Sequence, residues 1–305
     1  MYYIVYGLFY GLSLLPFWML YALGDLIRWV LFELIGYRND VVMNNLRQSF
    51  PEKSEGELRK IAHQFKENFT DTWIETIKFF SISPGRLKKM VEVSDKDLID
   101  FHALHSQGKS CQLMSGHFMN WELLPNALPL VQPLTLVGIY MPISSKVMNQ
   151  VFLKFRSRRG TKLVSAANVK QELQQFSGMP IMFAMGADQN PSVPQKACWL
   201  KFLNQPTAFP KGPSKYACAN NMPVYFAWLE KVKRGRYRLH FELLAEAPAL
   251  LGEPALTLMY ARKVEAVIRS HPDNYLWSHR RWKHKWKEEF RANWIDNPEQ
   301  EQSNS

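Results

Sequence analysis

A chain of 305 residues, 47% of them hydrophobic, can bury a large core and reads as one large domain, with or without appended helices. Lysine and arginine outnumber aspartate and glutamate 38 to 27; the formal charge of +11 favours an anionic partner, whether nucleic acid, an anionic membrane surface, or an acidic protein or substrate. Disorder is excluded outside the polar tail at residues 296–305, and the three widely spaced cysteines, Cys111, Cys198 and Cys218, sit among apolar residues as reduced thiols do, with no Cys/His cluster of metal-ligand spacing.

From Met1 to Leu23 no side chain is charged, and the run is rich in Tyr, Phe, Trp and Leu, long enough to cross a bilayer as one hydrophobic helix. It lacks the basic start and small-residue cleavage site of a signal peptide. Asp25 and Arg28 interrupt it before residues 29–35 turn apolar again. Residues 1–35 are therefore expected to anchor the chain to a membrane, spanning it or lying in its interface, with a kink at Pro16. A buried helical hairpin packed on the remainder is the alternative.

Residues 37–58 read as a connector with a turn. Ser54 as N-cap and Glu57 three residues on form a capping box. The recurrence of Leu58, Ile61, Ala62, Phe65, Phe69, Trp73, Ile77 and Phe80 predicts one long amphipathic helix to about residue 81. Beyond a polar stretch at 87–105 the chain alternates short apolar runs (111–115, 134–140, 163–164, 180–184 and 223–227) with helix-like stretches (148–159, 168–176 and 211–219). That order predicts an α/β fold, a mixed and mostly parallel sheet flanked by helices. Residues 236–243 alternate polar and apolar, as a half-exposed antiparallel strand does. Residues 256–268 read as a further helix.

One segment carries the chemistry. After the apolar run at 111–115 come Ser115-Gly116-His117 and Asn120-Trp121-Glu122, a candidate base and a candidate carboxylate at a strand end, where open α/β sheets collect their sites. On a continuous helix the five-residue spacing would separate His117 and Glu122 by about 140°. On a strand end followed by a turn capped by Asn120 they can meet, and a carboxylate-held histidine takes a proton from a hydroxyl. The spacing alone means little in a chain with eight histidines. No Gly-x-Ser-x-Gly elbow is present, so the nucleophile is expected to be the substrate.

Further clusters follow: Arg156-Ser157-Arg158-Arg159-Gly160, Asp188-Gln189-Asn190-Pro191, and the aromatic and basic run Trp277-Ser278-His279-Arg280-Arg281-Trp282-Lys283. Each alone reads as solvated charge, a turn or an interface. In order, with Tyr37-Arg38, Asn44-Asn45-Leu46 and Phe50-Pro51 before them, they resemble the bacterial lipid A biosynthesis late acyltransferase family, within the wider group of His-x4-Asp/Glu acyltransferases. The resemblance runs from about residue 1 to residue 290. It implies a glycerol-phosphate acyltransferase-like domain over 36–295 and a location at the cytoplasmic face of the bacterial inner membrane. It also implies transfer of a fatty acyl group from acyl carrier protein or coenzyme A to a lipid hydroxyl, without metal or redox cofactor.

Carried over residue by residue, His117 is the general base and Glu122 its partner. Arg158 or, preferably, Arg159 contacts the acceptor headgroup or thioester oxygen, and Asp188 supports the site with Gln189 beside it. Asn120, Arg280 and Arg281 complete the expected substrate-binding set. Asn190-Pro191-Ser192 and residues 205–210 depart from the family pattern, which leaves the acceptor open: lipid A or its precursor, a lysophospholipid, an aminolipid or a glycosylated phosphatidylinositol. A membrane-attached scaffold or nucleic-acid-binding protein is the non-enzymatic alternative, against which stands the absence of a recognisable nucleic-acid motif.

Overall fold

The computed structural model describes residues 1–296, so the expected polar tail lies, but for Asp296, outside the described residues. Helix α1 spans Tyr2–Ser13, and α2 spans Phe17–Arg28 and runs on through a π-helical stretch, Trp29–Leu34. The two meet at 113°. The single crossing helix expected here is thus a bent pair, and among the described residues no single helix is long and apolar enough to cross a membrane. The cause is local: Pro16 cannot continue a helix from the preceding turn, and it stands at the N-cap of α2. The carbonyls exposed at the break are satisfied from elsewhere, since Lys78 Nζ donates to Ser13 O and Leu15 O at 2.8 Å each and Ser81 Oγ to Ser13 O at 2.7 Å.

One face of this pair is buried, with Leu20 and Phe32 fully so, and the other bares Tyr3, Ile4, Leu8 and Trp18. Helix α3 covers Asn39–Ser49 and α4 Glu55–Lys78, the latter opened by the expected capping box of Ser54 and Glu57. Of the predicted apolar stripe, α4 buries Leu58, Ala62, Phe65 and Phe69. Its second half also buries polar groups, Asn68, Asp71, Thr72 and Glu75, while Trp73 stays partly exposed.

The sheet has seven strands in the order β1-β9-β8-β2-β5-β3-β4: β1 (Val91–Val93), β2 (Cys111–Ser115), β3 (Thr135–Tyr140), β4 (Lys162–Ser165), β5 (Ile181–Gly186), β8 (Val224–Lys233) and β9 (Arg236–Ala245). Strands β4, β3, β5, β2 and β8 run parallel, and β9 returns antiparallel to β8, as its alternation predicts. A separate hairpin, β6 (Cys198–Phe202) and β7 (Gln205–Phe209), closes through Leu203 and Asn204, both at positive φ. Such a two-residue turn matches the twist of the strands it joins. Side-chain alternation along β2 sends Met114 into a core shared with α3, α4 and the helix Glu253–Ser270, and Cys111 and Leu113 into a second core with the helices on the other face. The parallel strands are covered on both sides and all five β2 residues are buried, so the site at their carboxyl ends rests on a rigid base.

Candidate active site

Strand register builds the site. In the parallel pair β2/β5, Ser115 faces Gly186. His117 and Asp188 each lie two residues past that pair, so the sheet delivers them side by side although 71 positions separate them. Tyr260 OH donates to Ser115 O at 2.8 Å, and Ala187 N to the same oxygen at 3.2 Å, which ties the two strand ends together.

The carboxylate holding the histidine is Asp188, where the sequence pointed to Glu122. His117 Nδ1 lies 2.6 Å from Asp188 Oδ1, and the His117 backbone N–H donates to Asp188 Oδ2 at 2.9 Å. Asp188 is 1% exposed and His117 25% exposed at the side chain, so the ring reaches the cleft while its partner does not. With Nδ1 committed, Nε2 has no hydrogen-bond partner among the described residues. Burial opposes charging of the His117 ring, but the adjacent Asp188 carboxylate outweighs it and raises the pKa above the ordinary histidine value. For Asp188, burial favours the neutral acid, yet His117 and then Arg281 hold its pKa below the usual carboxylate range.

Glu122 turns elsewhere. It is 1% exposed and gripped by Arg156, whose Nε donates at 2.9 Å to Glu122 Oε2 while Nη2 donates to Oε1. This is the bidentate geometry that makes arginine a positioning cation. Arg156 also stacks over Phe152 at 5.3 Å, its neighbour one helical turn back on the helix Lys146–Ser157. That i,i+4 spacing is the signal by which Arg156 stands out within the arginine cluster. The pair remains near His117: Glu122 raises the His117 pKa at longer range and Arg156 opposes it, and the Trp121 ring centroid is 5.9 Å from that of His117.

The other predicted residues divide. Arg159 is committed to structure, donating to Asn126 Oδ1 at 2.7 Å, Phe79 O at 3.0 Å and Ile82 O at 2.9 Å. Arg158 is exposed at the end of the same helix. Asn120 faces inward, fully buried, and its Oδ1 accepts the Glu122 N–H at 3.2 Å, so it caps the turn as expected and is not open to a ligand. Gln189 is half-buried and Arg280 exposed. Arg281 is 2% exposed, 4.5 Å from the centre of the Phe209 ring, and donates to Asn190 Oδ1 at 3.2 Å; Asn190 Nδ2 in turn donates to Arg280 O at 2.7 Å. His279 is kept neutral, its pKa pushed down to about 4 by burial and then by Arg281. Helix α3 explains why two distant motifs occur together: Arg38 Nη1 donates to Ser278 O at 2.7 Å, and Asn45 Nδ2 to Trp277 O and His279 O at 2.8 and 3.0 Å.

Gly186 is required by this arrangement. A Cβ there would lie 2.7 Å from His117 Cε1, and the ring cannot swing away without leaving Asp188. Gly186→Ala should displace the ring and cut kcat by roughly 10²-fold, the scale of a misplacement of about 1 Å, with little change in the thermal midpoint. Steady-state kinetics beside a melting curve checks this.

The α/β sheet presents an Asp-held histidine at its strand ends, and among the described residues no serine or cysteine side chain is hydrogen-bonded to that ring. The profile of the bacterial lipid A biosynthesis acyltransferases matches residues 1–284. The chain belongs to that family and is an acyltransferase. It is similar to the lipid A biosynthesis lauroyltransferase of Escherichia coli (strain K12), at 24% identity over 273 residues that cover 88% of this chain and 87% of the relative.

Proposed function

We propose that His117, held by Asp188, deprotonates a hydroxyl of lipid A or its precursor, which then attacks an acyl thioester carried by acyl carrier protein or coenzyme A. The observation that carries this reading is the Nδ1 contact to Asp188, which leaves Nε2 as the acceptor of the incoming proton. The oxygen anion attacks the thioester carbonyl, the tetrahedral intermediate collapses, and the carrier leaves as a thiol with the proton from the imidazolium. A thioester is already activated, so proton removal and oxyanion stabilisation, each contributing about 10²- to 10³-fold or more, suffice. Asp188 takes the orienting role that spacing suggested for Glu122. Glu122 and Arg156 fix the turn beside the base, and exposed Arg158 and Arg280 offer charge to an anionic headgroup. Lipid mass spectrometry of cells with and without the protein tests the reading. Without it, lipid A lacking one acyl chain should accumulate, and an unchanged lipid A profile rejects the proposed acceptor.

The same reading places the enzyme at the cytoplasmic face of the inner membrane, held through the bare side of α1 and α2. Tyr3, Ile4, Leu8 and Trp18 are each more than half exposed, at 85%, 72%, 61% and 71%. Large exposed apolar side chains on otherwise packed helices suit an interfacial contact, and the net positive charge suits an anionic leaflet. Removing residues 1–35 would also remove Leu20 and Phe32 from the core; point substitutions test the idea more cleanly. Leu8→Asp combined with Trp18→Asp should abolish co-sedimentation with anionic vesicles while preserving the melting curve.

A further inference from the structure

Glu75 is a fully buried carboxylate that the proton-transfer scheme does not use. All its acceptor capacity is taken, by groups from four parts of the chain. Oε1 accepts from Tyr21 OH of α2 at 2.9 Å and from the Gly235 N–H in the β8–β9 turn at 2.9 Å. Oε2 accepts from Tyr237 OH of β9 at 2.7 Å and from Asn120 Nδ2 at 3.2 Å. A carboxylate presents about four lone-pair sites, so the junction is complete.

Two neighbours hold it closed. Arg234 in the same turn bridges Asp25 of α2 and Asp71 of α4, and a Cβ at Gly235 would meet Tyr21 OH at 3.1 Å. Burying a carboxylate costs stability that a hydrophobic side chain of like size would not; stability alone is a weak reason to find one here.

The bond to Asn120 gives it another use. Asn120 is the residue whose Oδ1 accepts the Glu122 N–H, and the turn so capped sets Trp121 against the His117 ring and aims Glu122 at Arg156. With its amide nitrogen bound to Glu75, the Asn120 side chain keeps its oxygen toward the turn. The other contact of that nitrogen, to Thr72 O, is longer at 3.4 Å, so without the Glu75 bond the amide is held less firmly and the cap on the turn weakens.

We propose that Glu75 is a positioning residue for acyl transfer, acting through Asn120, and that the Tyr21 hydroxyl makes this setting depend on the seating of α2 against α4. The inference rests on the His117 reading and extends it. The N-terminal pair then does more than hold the protein at a surface, since its second helix supplies one of four donors that keep the catalytic turn in register.

The test is a cycle of substitutions in the full-length protein, with a fatty acyl thioester of acyl carrier protein and a lipid A precursor as substrates. Glu75→Gln keeps the shape but offers an amide N–H where two donors converge; kcat should fall about 10- to 100-fold, the scale of a sub-ångström to 1 Å misplacement, with KM for both substrates within twofold. The pH at which activity rises should stay put, because the His117–Asp188 contact is untouched. Tyr21→Phe should give a smaller loss of kcat, a few-fold, with a wild-type melting curve. In an Asn120→Ala background both losses should vanish, because residues that act through one another are not additive. Glu75→Gln with undiminished kcat, or a loss that multiplies independently onto Asn120→Ala, overturns the proposal. If Glu75→Gln does not fold, Tyr21→Phe alone carries the test: undiminished kcat, or a loss that persists on Asn120→Ala, counts against it. Failure of the underlying reading looks different, since His117→Gln would then retain transfer.

Discussion

His117→Gln should lower the turnover of acyl transfer by about 10³-fold, within the 10²- to 10⁴-fold range of a positioned general base, and leave the protein folded. Glutamine fills much of the ring's space but cannot take up a proton near neutral pH. Donor and acceptor binding is expected not to depend on the ring, so KM should change little. The His117 pKa is raised in the folded state, so the stabilisation from its pairing is fully present below the unfolded histidine value and is lost as pH rises through the folded value. Above that value the variant should melt close to the parent, and a comparison made there separates chemistry from folding. A variant that melts normally and still turns over at a near-normal rate would end the general-base assignment.

Much of the fold was legible because local rules agree with the final packing. The run at 111–115 is β2 to the residue, since an uncharged segment between a Gly-containing turn and Ser115-Gly116 has little alternative but a buried strand. The Ser54–Glu57 capping box is present as read. The β6–β7 hairpin escaped notice because its turn, Leu203-Asn204, holds positive φ without glycine, so the usual marker is missing. The site was half legible. The place of His117 after a strand is readable locally, but the carboxylate that meets its ring lies across a parallel strand pair and not five residues away. Sequence spacing reports neighbours on one element; register between β2 and β5 decides who meets His117, and register is a property of the assembled sheet. The hint was present in symmetric form, Ser115-Gly116-His117 after one apolar strand and Gly186-Ala187-Asp188 after another. Arg156 was passed over for Arg158 and Arg159 because exposure at a helix end cannot be told from sequence, whereas a shared face with Phe152 can.

Asp188→Asn and Glu122→Gln together separate the two carboxylates. Asp188→Asn keeps an acceptor beside Nδ1 but also introduces an amide N–H, which stabilises the wrong tautomer and removes the charge that favours imidazolium. The equivalent change in a Ser-His-Asp triad costs about 10⁴-fold in kcat, and a comparable loss is expected. The pH profile carries the finer information. The base works when neutral, so activity of the parent should rise with pH through a value above the ordinary histidine pKa of 6.5, the direction in which Asp188 shifts it against burial. With Asp188 neutralised, burial is left to act with less opposition, and the rise in the residual activity should move to lower pH. Glu122→Gln should behave differently. It withdraws a longer-range pull on His117 and leaves Arg156 without a charged partner, so the acid limb should shift less, in the same direction. The dominant effect should be destabilisation by a few kcal/mol, the usual consequence of breaking a buried ion pair from one side. A pH profile that moves more for Glu122→Gln than for Asp188→Asn would return the partner's role to Glu122, against the 2.6 Å contact between His117 Nδ1 and Asp188 Oδ1.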